Sequence, residues 1–275
     1  MKIRQILHTF LLAATAVLVL ASCSDFNKVL KSTDIDLKYN KAVEYYEHGE
    51  CYKSLPLLEE LIGLTRGTQR AEDVYYYYAK SHYCIKDYYL ANYYFKSFTK
   101  TFTNSVRAEE CQFLAAQCSY ILSPLYSLDQ TDTYNSIDEF QLFLDKYPNS
   151  NLRDSANKQV MRLNDKLEKK AYETAKQYVK TQKFKASVSA LNQFLKDYPE
   201  STHREEVMYM IVRSNYEYAD GSVETKKLER FRVTNESYLT FATAFPDSEW
   251  LKEAEGYYKK SVKQIQKLTS TTTVQ

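Results

Sequence analysis

Phe143-Leu144-Asp145-Lys146-Tyr147-Pro148-Asn149-Ser150 is one of four copies of a phrase that decides the fold. It reads aromatic, three residues, aromatic, then proline, one residue and serine. The other copies are Phe194/Tyr198/Pro199/Ser201, Phe241/Phe245/Pro246/Ser248 and Phe98/Phe102/Thr103/Ser105, the last with threonine in place of proline. Successive copies begin 45, 51 and 47 residues apart. Aromatics at i and i+4 share one face of a helix, proline stops that helix, and serine can cap the next. Each copy is thus the end of one helix and the start of another. A chain of helix pairs is a scaffold for binding rather than a pocket for chemistry.

Working outward, pairs are predicted at 35–48 with 51–64 and at 71–85 with 87–102. An offset of 37 residues relates them: Ala42 to Ala79, Gly49 to Lys86, Ser54 to Ala91, Leu58 to Phe95. Small residues let two helices approach, and the large ones fill the space between them. A third pair begins near Arg107, with Ala116 in the small slot and a second helix at 131–147. It carries an insertion, Ser123–Gln130, in which Pro124 breaks the helix. The fourth pair opens with one long helix, Leu152 to Thr181, free of proline and glycine, and closes with Phe184 to Tyr198. Helices at 203–220 and 223–245 form the fifth, and 249–268 reads as an amphipathic, lysine-rich cap. The fold class is all-α, a helix-pair solenoid spanning 35–268, with residues 269–275 expected to fray. Only five glycines and five prolines in 275 residues agree with this.

The first 22 residues read as a signal peptide: Lys2 and Arg4 precede an apolar run from Phe10 to Leu20, too short to span a bilayer. That run leads into Leu20-Ala21-Ser22-Cys23, which resembles the lipobox of bacterial lipoproteins. The resemblance implies cleavage before Cys23, acylation of its thiol and amine, and a lipidated tether over 23–34. Ser24, in place of aspartate, favours the outer membrane by the enterobacterial sorting rule. Cleavage removes two of the 37 basic residues and none of the 35 acidic ones, so the mature chain is formally neutral. Nothing in that balance points to nucleic acid.

No catalytic constellation stands out: there is no Gly-x-Ser-x-Gly, no phosphate-cradling glycine loop and no His-Glu-x-x-His. His48 with Cys51 and His82 with Cys84 are the close metal-type pairs, and neither has a second pair at ligand spacing. No metal, cofactor or enzymatic activity is expected. Cys51, Cys84, Cys111 and Cys118 each fall in a helical pattern, where a buried free thiol packs as a small hydrophobe. Full oxidation would allow three pairings.

Tyrosine is the excess to explain, at 26 residues. Tyr39 and Tyr46, Tyr76 and Tyr83, and Phe113 and Tyr120 fill the same two slots in three successive first helices, three before and four after Ala42, Ala79 and Ala116. Such a row is either a rigid, amphipathic grip for extended peptide or packing between neighbouring pairs.

The small–large order resembles the tetratricopeptide repeat, and in that family these slots face a concave groove. With the lipobox, the chain resembles the BamD family of outer-membrane assembly lipoproteins. The most specific stretch is 140–207, including Leu163-Asn164-Asp165-Lys166-Leu167, Ala171-Tyr172-Glu173-Thr174-Ala175-Lys176-Gln177-Tyr178 and Leu195-Lys196-Asp197-Tyr198-Pro199-Glu200-Ser201. That resemblance implies a scaffold anchored at Cys23 in the outer membrane and facing the periplasm. Its partners would be a BamA-like insertase, other assembly lipoproteins and unfolded β-barrel substrates carrying a C-terminal strand signal. The insertion Ser123–Gln130 and the long helix at 223–245 depart from the family pattern. Adaptors of pilus secretin assembly or of wall synthesis and division share the repeats and form the competing class.

Overall fold

The structure, a computed structural model, describes residues 25–272. The signal peptide, Cys23 and residues 273–275 lie outside the described residues. Every regular element within them is a helix. Residues 25–31 form α1, followed by α2 (Ile35–Glu47), α3 (Cys51–Leu64), α4 (Ala71–Cys84), α5 (Tyr88–Thr101) and α6 (Ala108–Leu122). Next come α7 (Thr131–Lys146), α8 (Arg153–Lys180), α9 (Phe184–Asp197), α10 (Arg204–Asp220), α11 (Glu224–Ala244) and α12 (Leu251–Thr272). Two compact units result. Unit 1 comprises the chain through Pro124 plus Asp129–Leu163; unit 2 comprises Leu125–Leu128 and the chain from Asn164.

The repeated phrase closes a helix pair by the same bonds each time. Phe102, Tyr147, Tyr198 and Phe245 cap their helices, each amide donating to the carbonyl of the aromatic four residues back at 2.8–2.9 Å. The two rings of each copy lie 5.0–6.1 Å apart. The serine acts further upstream than a side-chain cap would. Ser105, Ser150, Ser201 and Ser248 Oγ accept the amide N–H two residues on, at 3.0–3.2 Å. Three of these hydroxyls also donate to a glutamate on the first helix of the preceding pair: Glu72, Glu109 and Glu168, at 2.5–2.6 Å. One short side chain therefore ties the end of a pair to its beginning.

Inside the pairs, Ala42, Ala79, Ala116, Ser54, Ala91 and Ser136 are fully buried. The serines satisfy their hydroxyls on the partner helix, Ser54 donating to the Ala42 carbonyl (2.7 Å) and Ser136 to that of Ala116 (3.3 Å). Phe95, Phe98, Phe140 and Phe143 fill unit 1 and Phe194, Phe231 and Phe241 fill unit 2, all buried. Each contributes about 2–3 kcal/mol by removal from water. The turn after α2 and the turn after α4 share a left-handed residue, Gly49 (φ 76°) and Lys86 (φ 65°). In both, the next amide reaches back five residues, Glu50 to Tyr45 O and Asp87 to His82 O. This six-to-one bond defines a Schellman turn.

Three expectations need correction. Residues 25–31 are helical and packed, with Val29 buried and Phe26 and Leu30 against the Leu57/Leu58/Leu61 cluster, so the tether is shorter than 23–34. The last helix runs to Thr272, into the segment expected as a frayed tail; no proline or glycine stops it, and Thr269 Oγ1 bonds back to the Ile265 carbonyl. Cys51 and Cys84 form a disulfide, because Cys51 opens α3, Cys84 closes α4, and their Cα atoms lie 6.3 Å apart. Cys111 and Cys118 are free and buried, and burial pushes both thiols up to about 12.

Candidate peptide groove

The aromatic row predicted on the first helices lies within unit 1, and all six rings are half-buried. They do not form one surface. Tyr39, Tyr46 and Tyr76 meet around Tyr77, whose ring centroid lies 6.4, 5.4 and 5.4 Å from theirs, edge to face in each case. Tyr83 packs on its own pair, against Tyr88 (5.4 Å) and Phe95 (6.2 Å). Phe113 lies on Phe140 and Phe143, and Tyr120 joins the same cluster.

Cations line the first group. The Arg107 guanidinium sits 4.5 Å from the Tyr76 ring centre and 5.9 Å from that of Tyr77; Arg70 sits 5.0 Å from that of Tyr39. Arg107 is held by Asp73 and Arg70 by Asp36. The Tyr76 hydroxyl donates to Glu110 Oε2 at 2.8 Å, while Lys80 Nζ donates to the other oxygen of Glu110 at 2.8 Å. Burial, with Asp73 adding to it, pushes Tyr39 up to about 12. Burial and then the Glu110 bond raise Tyr76 as well, and burial raises Tyr77 against Arg107. These phenols stay protonated and serve as donors. Four half-open rings, three of them with arginine over the ring, and phenolic donors can hold an extended chain carrying aromatic side chains and backbone carbonyls.

Sequence periodicity missed Tyr77 and the two arginines. The run Tyr75-Tyr76-Tyr77-Tyr78 was the available signal. Four consecutive residues cover every side of a helix, and here each ring meets a different neighbour. Tyr75 Oη pairs with Ser97 (2.9 Å), Tyr76 with Glu110, Tyr77 with α2, and Tyr78 is buried against His82.

A family model described as "YfiO: Outer membrane lipoprotein" matches residues 32–206 and 178–267, most of the chain. The chain belongs to the YfiO family of outer membrane lipoproteins. This is the BamD family domain, so the resemblance seen in the sequence holds. Among solved structures, this YfiO-family chain is similar to the P58(IPK) TPR domain, with 12% identity and a TM-score of 0.40. The match covers 86% of the chain and 66% of that structure, just under two thirds of its length. The TPR2AB domain of yeast Sti1, solved as a complex with pHSP90, matches with 11% identity and a TM-score of 0.38, over 83% of the chain and 98% of that one. No curated protein sequence matches significantly. No helix among the described residues is long and apolar enough to cross a membrane, and no cluster there has the makings of a metal site.

Proposed function

We infer that this YfiO-family protein is a lipid-anchored, periplasm-facing scaffold of the machinery that assembles β-barrel proteins in the outer membrane. It has no catalytic role of its own. Cys23 carries the lipid; the chain binds a BamA-like insertase, other assembly lipoproteins and unfolded barrel substrates. The Tyr39/Tyr46/Tyr76/Tyr77 group with Arg70 and Arg107 carries this reading. A half-open aromatic cluster flanked by cations suits a strand-like segment that ends in an aromatic residue and a carboxylate. The Cys51–Cys84 disulfide supports an oxidising compartment.

Capture of the lipidated protein from gently solubilised outer membranes, with partners identified by mass spectrometry, tests the assignment. A stoichiometric barrel protein with periplasmic domains is expected; recovery of secretin, pilus or wall-synthesis components would replace it with the adaptor reading. For the groove, Tyr76→Ala with Tyr77→Ala should weaken binding of a barrel's C-terminal strand peptide about tenfold, about 1.4 kcal/mol. Helicity should be retained. Tyr46→Ser, which removes a single half-buried ring of the same group, guards against a folding defect; unaltered peptide affinity in both variants would assign the rings to packing alone.

A further inference from the structure

A second tyrosine row lies on the second helices of unit 1, and it is far more exposed than the first. Tyr52, Tyr89 and Tyr134 each stand two residues before the fully buried small residue of their helix, Ser54, Ala91 and Ser136. Their exposures are 76%, 67% and 57%. None of the three hydroxyls has a hydrogen-bond partner among the described residues, and none of the rings touches another. The same structural slot is thus an exposed tyrosine in three successive pairs. In unit 2 the same slot, two before buried Ser187 and Thr234, holds Lys185 and Arg232.

The position of the acylation site says what covers this row. Cys23 is two residues from Asp25, a reach of about 7 Å at most. Residue 25 opens α1, which packs against α2 and α3 through Phe26, Val29 and Leu30. Phe26 contacts Tyr45 at 5.9 Å, and Lys53 Nζ lies 5.3 Å from the same Tyr45 ring centre. Lys53 is the neighbour of Tyr52 in the first turn of α3. The start of α1 and the first ring of the row therefore share one corner of unit 1. A bilayer that holds the acyl chains of Cys23 must come close to that corner.

We propose that Tyr52, Tyr89 and Tyr134 form an interfacial belt through which unit 1 rests on the lipid surface beside the acylated cysteine. A phenol has an apolar body and a wet tip, and tyrosine concentrates at headgroup level for that reason. The belt holds unit 1 close to the bilayer in one orientation. The lipid alone would leave it free to swing. This rests on acylation of Cys23, part of the function proposed above.

Trp250, in unit 2, is the chain's only tryptophan and gives a baseline emission. The acylated full-length protein is reconstituted in vesicles of phosphatidylethanolamine and phosphatidylglycerol brominated on the acyl chains near the headgroups. In Tyr89→Trp and Tyr134→Trp, the added emission should shift to the blue and be quenched by bromine. In Lys185→Trp it should not. Protein that floats with the vesicles while Tyr89→Trp and Tyr134→Trp stay unquenched overturns the belt and leaves the anchor standing, as would occur if a protein partner covers the row. Failure to float overturns the anchor and the belt together.

Discussion

Units 1 and 2 are built from the same helix pair and differ in what the pair is made to carry. Both hold a tyrosine on a first helix whose hydroxyl donates to a glutamate 34 residues on, with a lysine one turn later on the same carboxylate. In unit 1 these are Tyr76, Lys80 and Glu110; in unit 2 they are Tyr172, Lys176 and Glu206. The serine-to-glutamate tie also recurs in both. Unit 1 alone has a disulfide among the described residues, together with the Tyr77-centred cluster and the exposed tyrosine row. Unit 2 puts lysine and arginine where that row would continue. Slots that repeat across both units hold the pair together, and slots that diverge set the two units apart.

The disulfide offers the largest test of that contrast. Replacing Cys51 and Cys84 together with serine removes a constraint on a loop of 33 residues and should destabilise unit 1 by about 3–4 kcal/mol. Hydrogen exchange should speed up in α3 and α4 and stay unchanged in α10 and α11. Equal loosening of both would show one cooperative body in place of two differently secured units. The shared clasp comes next. Tyr76→Phe and Tyr172→Phe should each cost about 1 kcal/mol in urea denaturation, reduced by the partial exposure of the carboxylates. A loss confined to one of them would break the equivalence of the repeats.

Acid should separate the units in the same direction as the disulfide. His82 is buried between Tyr78 and Tyr94, and its Nδ1 is 3.7 Å from Asp87 Oδ2. Burial pushes the imidazole below its ordinary value, against the pull of Asp87 and Glu59. Its contribution is complete above about pH 6.5, the unfolded value, and is lost as pH falls from there toward the lower folded value. Exchange measured at about pH 7.5 and about pH 5 should show α4 and α5 loosening in acid, with the effect abolished in His82→Phe. Acid loosening that persists in His82→Phe would place the sensitive group elsewhere. The smallest change is Lys86→Gly, at the left-handed turn where the preceding pair already has Gly49. It should stabilise unit 1 by about 0.5 kcal/mol, the relief of left-handed strain less the chain entropy that glycine adds, raising its thermal midpoint.

The helix boundaries were legible in the sequence to within one or two residues, from residues 35 to 251. The phrase at residues 98, 143, 194 and 241 is read locally, through a helical period, a capping aromatic and a stop. The family was legible too, in the 140–207 stretch, which lies within the matched residues. The candidate site was half legible. Tyr39, Tyr46 and Tyr76 come together, but around Tyr77, which no repeat slot marked, whereas Tyr83, Phe113 and Tyr120 serve their own pairs. The contacts of the insertion at 123–130 were not legible: Tyr126 lies beneath Lys169 Nζ (4.7 Å) and the Leu128 carbonyl accepts from Lys170.

By itself, then, the sequence determined the helices, their pairing and the slots, because helical period and chain termination depend on neighbours within a few residues. Only the tertiary structure decided which of the tyrosines are enclosed and which stand open. It also decided that Cys51 meets Cys84 and that residues 25–31 are docked. Each of these depends on what a helix from elsewhere in the chain brings into the space. An aromatic ring has the same local preference whether that space is filled by Glu110 and Arg107 or left open, as at Tyr89.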